Sequence, residues 1–185
     1  VSPCPLPRQR DFAKHSDHSL LMLNRLFALM ILVILSPIFL IVAFSILLED
    51  GSPIFFKQKR VGVNYTFFNI YKFRSMKKNT PNVATHLLEN PQQYLLKIGG
   101  VLRKLSFDEL PNLINIIKGE MVFVGPRPAL YNQDDLMALR VTVGVDKLKP
   151  GITGWAQVNG RDEISIDEKV AFDREYLVRK SFWFD

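Results

Sequence analysis

Between Leu26 and Leu48 the chain runs for 23 residues without a charge, bounded by Arg25 on one side and Glu49-Asp50 on the other. About 20 such residues suffice to cross a hydrocarbon core as a helix, so any fold must accommodate a membrane-length apolar element. A secretory signal peptide has a shorter apolar core followed by a small-residue cleavage site. This run is longer and ends in two carboxylates, which marks a retained element. Ser36-Pro37 lies at its middle, and an interior proline deletes one helical hydrogen bond and clashes with the preceding turn. The sequence therefore predicts a helix-break-helix hinged at Ser36-Pro37.

Arg8, Arg10, Lys14 and Arg25 precede the run, and Lys57, Lys59 and Arg60 follow it. Positive charge marks the cytoplasmic side of a membrane segment, so both flanks belong to one side. This favours a kinked re-entrant hairpin that enters and leaves by the same face, over a single-pass anchor with a tolerated kink.

The other segments have the makings of one globular domain. The chain has 185 residues and a net charge of +6, a basic balance that suits nucleic acid, a membrane surface or a phosphorylated substrate. A hydrophobic content of 48% excludes intrinsic disorder. The single cysteine, Cys4, excludes an intramolecular disulfide framework and a clustered-cysteine zinc site, and suits a reducing compartment.

Residues 1–19, with three prolines among the first seven, read as a mobile tail; His15 and His18 within it read as solvated. Pro53–Arg60 and Tyr65–Ser75 are aromatic-rich stretches around Val61-Gly62-Val63-Asn64 and predict a β-hairpin, with Lys57, Lys59, Arg60, Lys72 and Arg74 along one basic ribbon. After a polar segment from Lys77 to Pro91, apolar periodicity predicts helices over Gln93–Leu105 and Asp108–Lys118, the second ended by Gly119. Further helices are expected over Asn132–Val141 and Ser165–Arg179.

Three segments hold candidate chemistry. Asp108 and Glu109 are adjacent carboxylates at the predicted start of a helix, where backbone N–H groups favour the ionised form. An ionised, positioned carboxylate is a nucleophile or a metal ligand. Ser106-x-x-Glu109 also matches a capping box, which would give Glu109 a purely structural use. Gly125-Pro126-Arg127-Pro128 sets one arginine between two prolines of fixed φ, a rigid presentation suited to gripping an anion, or to an internal salt bridge. Lys149 through Arg161 places Gly151, Gly154 and Gly160 beside Trp155 and Arg161, which permits close backbone approach to a ligand with a stacking ring and a second cation. The plainer reading is a turn over a buried Trp155. No Gly-x-Gly-x-x-Gly, Walker loop or His-Glu-x-x-His helix occurs, and His86 reads as a loop residue.

Taken in order, the kinked apolar hairpin, Gln58-Lys59-Arg60-Val61-Gly62, Lys72-Phe73-Arg74-Ser75-Met76, Leu105 through Pro111, Gly125-Pro126-Arg127-Pro128 and Lys149-Pro150-Gly151-Ile152-Thr153-Gly154 through Arg161 resemble the bacterial sugar transferases, the monotopic phosphoglycosyl transferases. The resemblance runs from about Leu20 to the end of the sequence. It implies an α+β fold: a re-entrant membrane hairpin over residues 20–50, broken at Ser36-Pro37, and a cytosolic catalytic domain over residues 51–185, with a β-hairpin and several helices at the membrane surface. It implies transfer of a sugar-1-phosphate from a UDP-sugar to polyprenyl (undecaprenyl) phosphate with release of UMP. Asp108 would be the nucleophile, Glu109 its partner in the dyad, and Mg²⁺ the required cofactor, held by Asp108 and Glu109 together with substrate phosphates. Arg103, Arg127 and Arg161, with Lys72 and Arg74, are candidates for the remaining phosphate charge.

The setting implied is the cytoplasmic face of the bacterial inner membrane, with membrane lipids as partners and no nucleic acid. The stretch Gly154–Arg161 is similar to that of small members using N-acetylated or diacetamido sugars. Members of the family continue past Trp183-Phe184-Asp185 into an amphipathic segment. The rival from another class is a membrane-anchored, non-catalytic protein that binds nucleotide or polysaccharide in export or its regulation. That reading explains the anchor and the charge but leaves Asp108-Glu109 idle.

Overall fold

The apolar run breaks where the proline falls. The computed structural model describes the backbone of residues 14–81, 90–160, 164–181 and 183–185; Cys4 and His86 lie outside them. Of the tail expected over residues 1–19, the part before Lys14 also lies outside, and from Lys14 the backbone is already helical. Helix α1 spans Lys14–Ile34 and α2 spans Ser36–Asp50, with a 62° bend between them. No single described helix is long and apolar enough to cross a membrane; only the bent pair together meets that length and composition.

The hinge chemistry explains the Ser-Pro pair. In an α-helix the amide of residue 37 would donate to the carbonyl of residue 33, and Pro37 has no such amide. The orphaned Val33 carbonyl accepts instead from Ser36 Oγ at 2.7 Å, so the bend leaves that acceptor satisfied, as an apolar solvent demands.

One face of each helix is exposed and apolar: Val33, Leu40 and Leu48 are 65%, 71% and 72% exposed, and Leu26, Met30 and Phe44 accompany them. An apolar patch of that extent marks a membrane or protein contact. The other face joins the domain core. Ala28 of α1 packs with Ile70, Leu113, Ile116 and Met121, and Val42 and Ile46 of α2 with Phe73, Leu96 and Leu102. Polar ties hold the same contacts: Arg25 Nη2 donates to the Lys118 carbonyl at 3.4 Å and Asn24 Oδ1 accepts from the Phe123 amide at 3.2 Å.

The expected hairpin forms as β1 (Phe55–Val61) and β2 (Phe67–Phe73), antiparallel with Gln58 opposite Ile70. Its turn, Gly62–Thr66, lies later than expected and puts Asn64 and Tyr65 at φ of 50° and 61°. The basic residues do not form one ribbon. Because strand side chains alternate in facing, Lys57 and Lys59 share a face with Tyr71 and Asn69, whereas Arg60 and Lys72 lie on the opposite face. Arg74, past the end of β2, is buried.

The helix expected over Gln93–Leu105 shortens to a 3₁₀ turn at Pro91–Tyr94 and α3, Gly99–Lys104. Leu95 is taken by a bridge to Met76, and the Leu96 amide donates to the Ser75 carbonyl at 3.0 Å, so this stretch pairs as extended chain. The next helix likewise divides into a 3₁₀ turn at Phe107–Glu109 and α4, Asn112–Lys118. Pro111 stands as the N-cap of α4, where its missing amide costs nothing, and Gly119, at φ 82°, ends the helix.

Strands β3 (Val122–Val124) and β4 (Gly151–Thr153) form a second, parallel pair. Here Gly151 and Gly154 let the backbone of Gly125 approach closely. A Cβ at Gly154 would overlap the Gly125 carbonyl, and one at Gly151 would overlap the Gly125 amide. Helices α5 (Asp134–Thr142), α6 (Trp155–Val158) and α7 (Ile166–Arg179) complete the fold.

Candidate active site

Asp108 and Glu109 sit on the tight turn between α3 and α4, and Lys72 comes to them from β2. Ser106, at φ 57°, occupies the left-handed region and its side chain caps nothing. The capping box open to Glu109 in the sequence is not formed. Glu109 Oε1 instead accepts from Lys72 Nζ at 2.6 Å and from Arg127 Nη2 at 3.3 Å. Burial alone would raise the Glu109 carboxyl, but Lys72 and then Arg127 hold it below its ordinary value.

Asp108 is treated differently by the same cluster. Among the described residues no side chain hydrogen-bonds or ion-pairs with it. Burial pushes its carboxyl up, Lys72 pulls it back, the Glu109 charge adds to the rise and Arg103 opposes it. One carboxylate of the dyad is thus clamped between two cations, and its neighbour is engaged by no described side chain, only by its own backbone amide. Adjacent carboxyls whose environments push them in opposite directions are suited to different tasks.

Arg103 stands by Asp108 with its Nε donating to Ser75 Oγ at 2.9 Å. Lys72, Arg103 and Arg127 therefore converge on the dyad as expected. Arg74 does not: its Nη1 bonds the Asp50 carboxylate, its Nε the Pro53 carbonyl at 2.7 Å and its Nη2 the Gly51 carbonyl at 2.5 Å. It latches the end of α2 to the hairpin, with its hydrogen-bonding capacity turned away from the dyad. Arg161 lies outside the described residues. Ser36 and Pro37 belong to the hinge. Trp155 is half-buried and engaged within the fold, its Nε1 donating to Glu175 Oε2 at 2.9 Å with the Phe184 ring 5.2 Å away.

A small cavity opens beside the dyad, lined by Arg60, Lys72, Glu109, Asn112, Arg127 and Gly151 among others. Asn112 belongs to none of the motifs in the sequence. It is 3% exposed, and its buried Oδ1 has no partner among the described residues, an acceptor available to water or a bound molecule. Nothing local in Leu110-Pro111-Asn112 signals this, because the cavity is made by residues distant in sequence. Asn115, one turn on, likewise has no local signal. It is fully buried and ties α4 to the hairpin, accepting from the Tyr71 amide at 3.1 Å and donating to the Asn69 carbonyl at 2.7 Å.

The donor set also bears on a metal. Asp108 and Glu109 supply two carboxylates, and no group of three or more carboxylate, histidine or cysteine ligands occurs among the described residues. Two carboxylates are too few for a dedicated protein cage but fit Mg²⁺, which is commonly held by one or two carboxylates with water and substrate phosphates.

The bacterial sugar transferase model matches residues 18–185, the hinge helices and the dyad included. The chain belongs to the bacterial sugar transferase family. It is 40% identical over 169 residues to the uncharacterized sugar transferase EpsL of Bacillus subtilis (strain 168), covering 89% of this chain and 82% of that protein. It is 38% identical over 166 residues to the UDP-glucose:undecaprenyl-phosphate glucose-1-phosphate transferase of Escherichia coli (strain K12), covering 85% of this chain but 36% of that longer protein. It is 34% identical over 163 residues to the UDP-N-acetylgalactosamine-undecaprenyl-phosphate N-acetylgalactosaminephosphotransferase of Aeromonas hydrophila, of which it spans 38%. By class this bacterial sugar transferase is a phosphoglycosyl transferase, an enzyme rather than a binding protein.

Proposed function

We propose that this bacterial sugar transferase moves a sugar-1-phosphate from a UDP-sugar to undecaprenyl phosphate, with Asp108 as the covalent nucleophile, and so begins the assembly of a bacterial glycoconjugate. The observation that carries the reading is the division of labour in the dyad: Glu109 holds Lys72 and Arg127, while no described side chain hydrogen-bonds or ion-pairs with the Asp108 carboxylate beside them. The relatives named for undecaprenyl-phosphate transfer support the acceptor.

In the first step an Asp108 carboxylate oxygen bonds to the sugar-bearing phosphorus of the donor. The bond from that phosphorus to the bridging oxygen breaks, and UMP leaves with the oxygen and the electron pair. In the second step a phosphate oxygen of the lipid attacks the same phosphorus and displaces the carboxylate. Lys72 and Arg127 share one oxygen of Glu109, so both cations are already oriented when the diphosphate enters, and Arg103 adds charge on the Asp108 side. Preorganised cations facing developing phosphate charge are the larger part of such catalysis. Mg²⁺, held by Asp108 and Glu109 with the substrate phosphates, would supply further charge neutralisation.

The setting proposed is the cytoplasmic face of the bacterial inner membrane, with α1 and α2 re-entering the lipid by their exposed apolar faces. Support comes from the basic residues on both flanks of the run and from the satisfied Val33 carbonyl at the hinge. The wording of Gly154–Arg161 supports an N-acetylated or diacetamido sugar as the transferred group.

UMP release by detergent-purified protein tests the reaction, with Mg²⁺, undecaprenyl phosphate and a panel of UDP-sugars. The expected result is turnover that requires the lipid and favours one N-acetylated donor. No release with any donor, from protein shown to be folded, would overturn it.

A further inference from the structure

The turn that presents Arg127 is held from behind by a buried ion pair. Arg140 of α5 and Asp173 of α7 are 4% and 1% exposed. Arg140 Nε and Nη2 both donate to Asp173 Oδ2, at 3.0 and 2.6 Å, and its remaining terminal nitrogen, Nη1, donates to the main-chain carbonyl of Arg127 at 2.9 Å. Neighbouring carbonyls of the same turn are held as well. Val124 accepts from Tyr176 Oη at 3.0 Å, Pro126 from the Gly151 amide at 3.0 Å and Pro128 from Arg60 Nη1 at 2.9 Å.

A buried ion pair is a poor way to fasten two helices, because desolvating both charges offsets most of their attraction and apolar residues of similar volume do as well or better. Apolar residues could not donate to the Arg127 carbonyl. Prolines on both sides already restrict the turn, so fixing that carbonyl fixes the peptide from which the Arg127 side chain departs toward Glu109. We propose that Arg140 and Asp173 are positioning residues of the active site. They act through the Arg127 backbone and set the guanidinium where it meets Glu109 and the donor phosphates. The inference rests on the transfer reaction given above for the meaning of that position.

The test is a cycle of substitutions. Arg140→Met together with Asp173→Val removes both charges at nearly the same total side-chain volume, a replacement that buried ion pairs commonly tolerate. In the otherwise unaltered enzyme kcat/KM for UMP release should fall by about tenfold, since small misplacements of a positioning group are costly. In an Arg127→Ala background the same pair should change it by less than about twofold, because the group it positions is gone. Asp173→Asn, which keeps shape and an acceptor, should show the same dependence on Arg127 with a smaller fall.

Hydrogen exchange reads the contact without turnover: the amides of Gly125 and Gly151, which donate to the Thr153 and Pro126 carbonyls at 2.8 and 3.0 Å, should exchange faster in the double variant. Equal losses in both backgrounds, or unchanged exchange and activity in the double variant, would overturn the proposal. Accelerated exchange in an enzyme that turns over no UDP-sugar would leave the positioning intact and sink the reaction instead.

Discussion

Two stretches of this chain carry the same pattern, Ser106-x-x-Glu109 and Ser165-x-x-Glu168, and the fold uses them in opposite ways. At Ser165 the pattern closes: the Glu168 amide donates to Ser165 Oγ at 3.3 Å, and the Ser165 amide donates to Glu168 Oε2 at 2.9 Å. At Ser106 the residue enters the left-handed region and Glu109 turns to Lys72 and Arg127 instead. A capping box contributes on the order of 1 kcal/mol to a helix. The turn before α4 forgoes that gain and holds a strained serine, and what it obtains is a carboxylate free to organise two cations beside Asp108. Backbone held in a sparsely populated region at a functional site is a common outcome of this trade.

The sharpest way to break the comparison is the same substitution at both glutamates. Glu109→Gln removes the charge that orders Lys72 and Arg127, and kcat/KM for UMP release should fall by about a hundredfold or more. Glu168→Gln keeps a side chain that can still complete a capping box, and activity should change by less than about twofold. Comparable losses at the two sites would erase the distinction.

Asp108 gives a pH-dependent form of the same contrast. Its carboxyl already lies above the usual value through burial, and Arg103 is one of the groups pulling it down. Attack on phosphorus needs the ionised form, so the acid limb of the kcat/KM profile follows the loss of the Asp108 proton. Arg103→Ala removes a lowering influence, raises that pKa further and should move the acid limb to higher pH. An unmoved limb would detach Asp108 from it.

The smallest effects concern the two serines and are read by thermal or denaturant unfolding. Ser165→Ala should cost about 1 kcal/mol by removing a working cap. Ser106→Gly should be neutral or stabilising by up to about 1 kcal/mol, because glycine enters the left-handed region without a Cβ penalty. Equal destabilisation at both positions would mean that Ser106 caps after all.

Features set by local chemistry could be read from the sequence. The hinge at Ser36-Pro37 follows from one missing amide, and the start of α7 follows from Ser165 and Glu168. Asp108, Glu109, Lys72, Arg103 and Arg127 are candidates named from the sequence, and the fold brings them to one place. What the sequence concealed depends on distant pairing. Arg74 stands two residues from Lys72, yet it is drawn to Asp50 at the end of α2. The packing of the Gly125 backbone against Gly151 and Gly154 has no local signal in the sequence. Asn112 and Arg140 matter through neighbours that only the folded chain supplies.

The central claim is that Asp108 itself carries the sugar phosphate, and intact-protein mass spectrometry in the absence of lipid acceptor tests it most directly. Mixed with its UDP-sugar donor and Mg²⁺, the enzyme should release UMP stoichiometrically and gain the mass of one sugar phosphate, which undecaprenyl phosphate then removes; Asp108→Asn should do neither. UMP release that begins only when lipid is added, with no protein adduct at any time, would contradict the account and make the transfer a direct one.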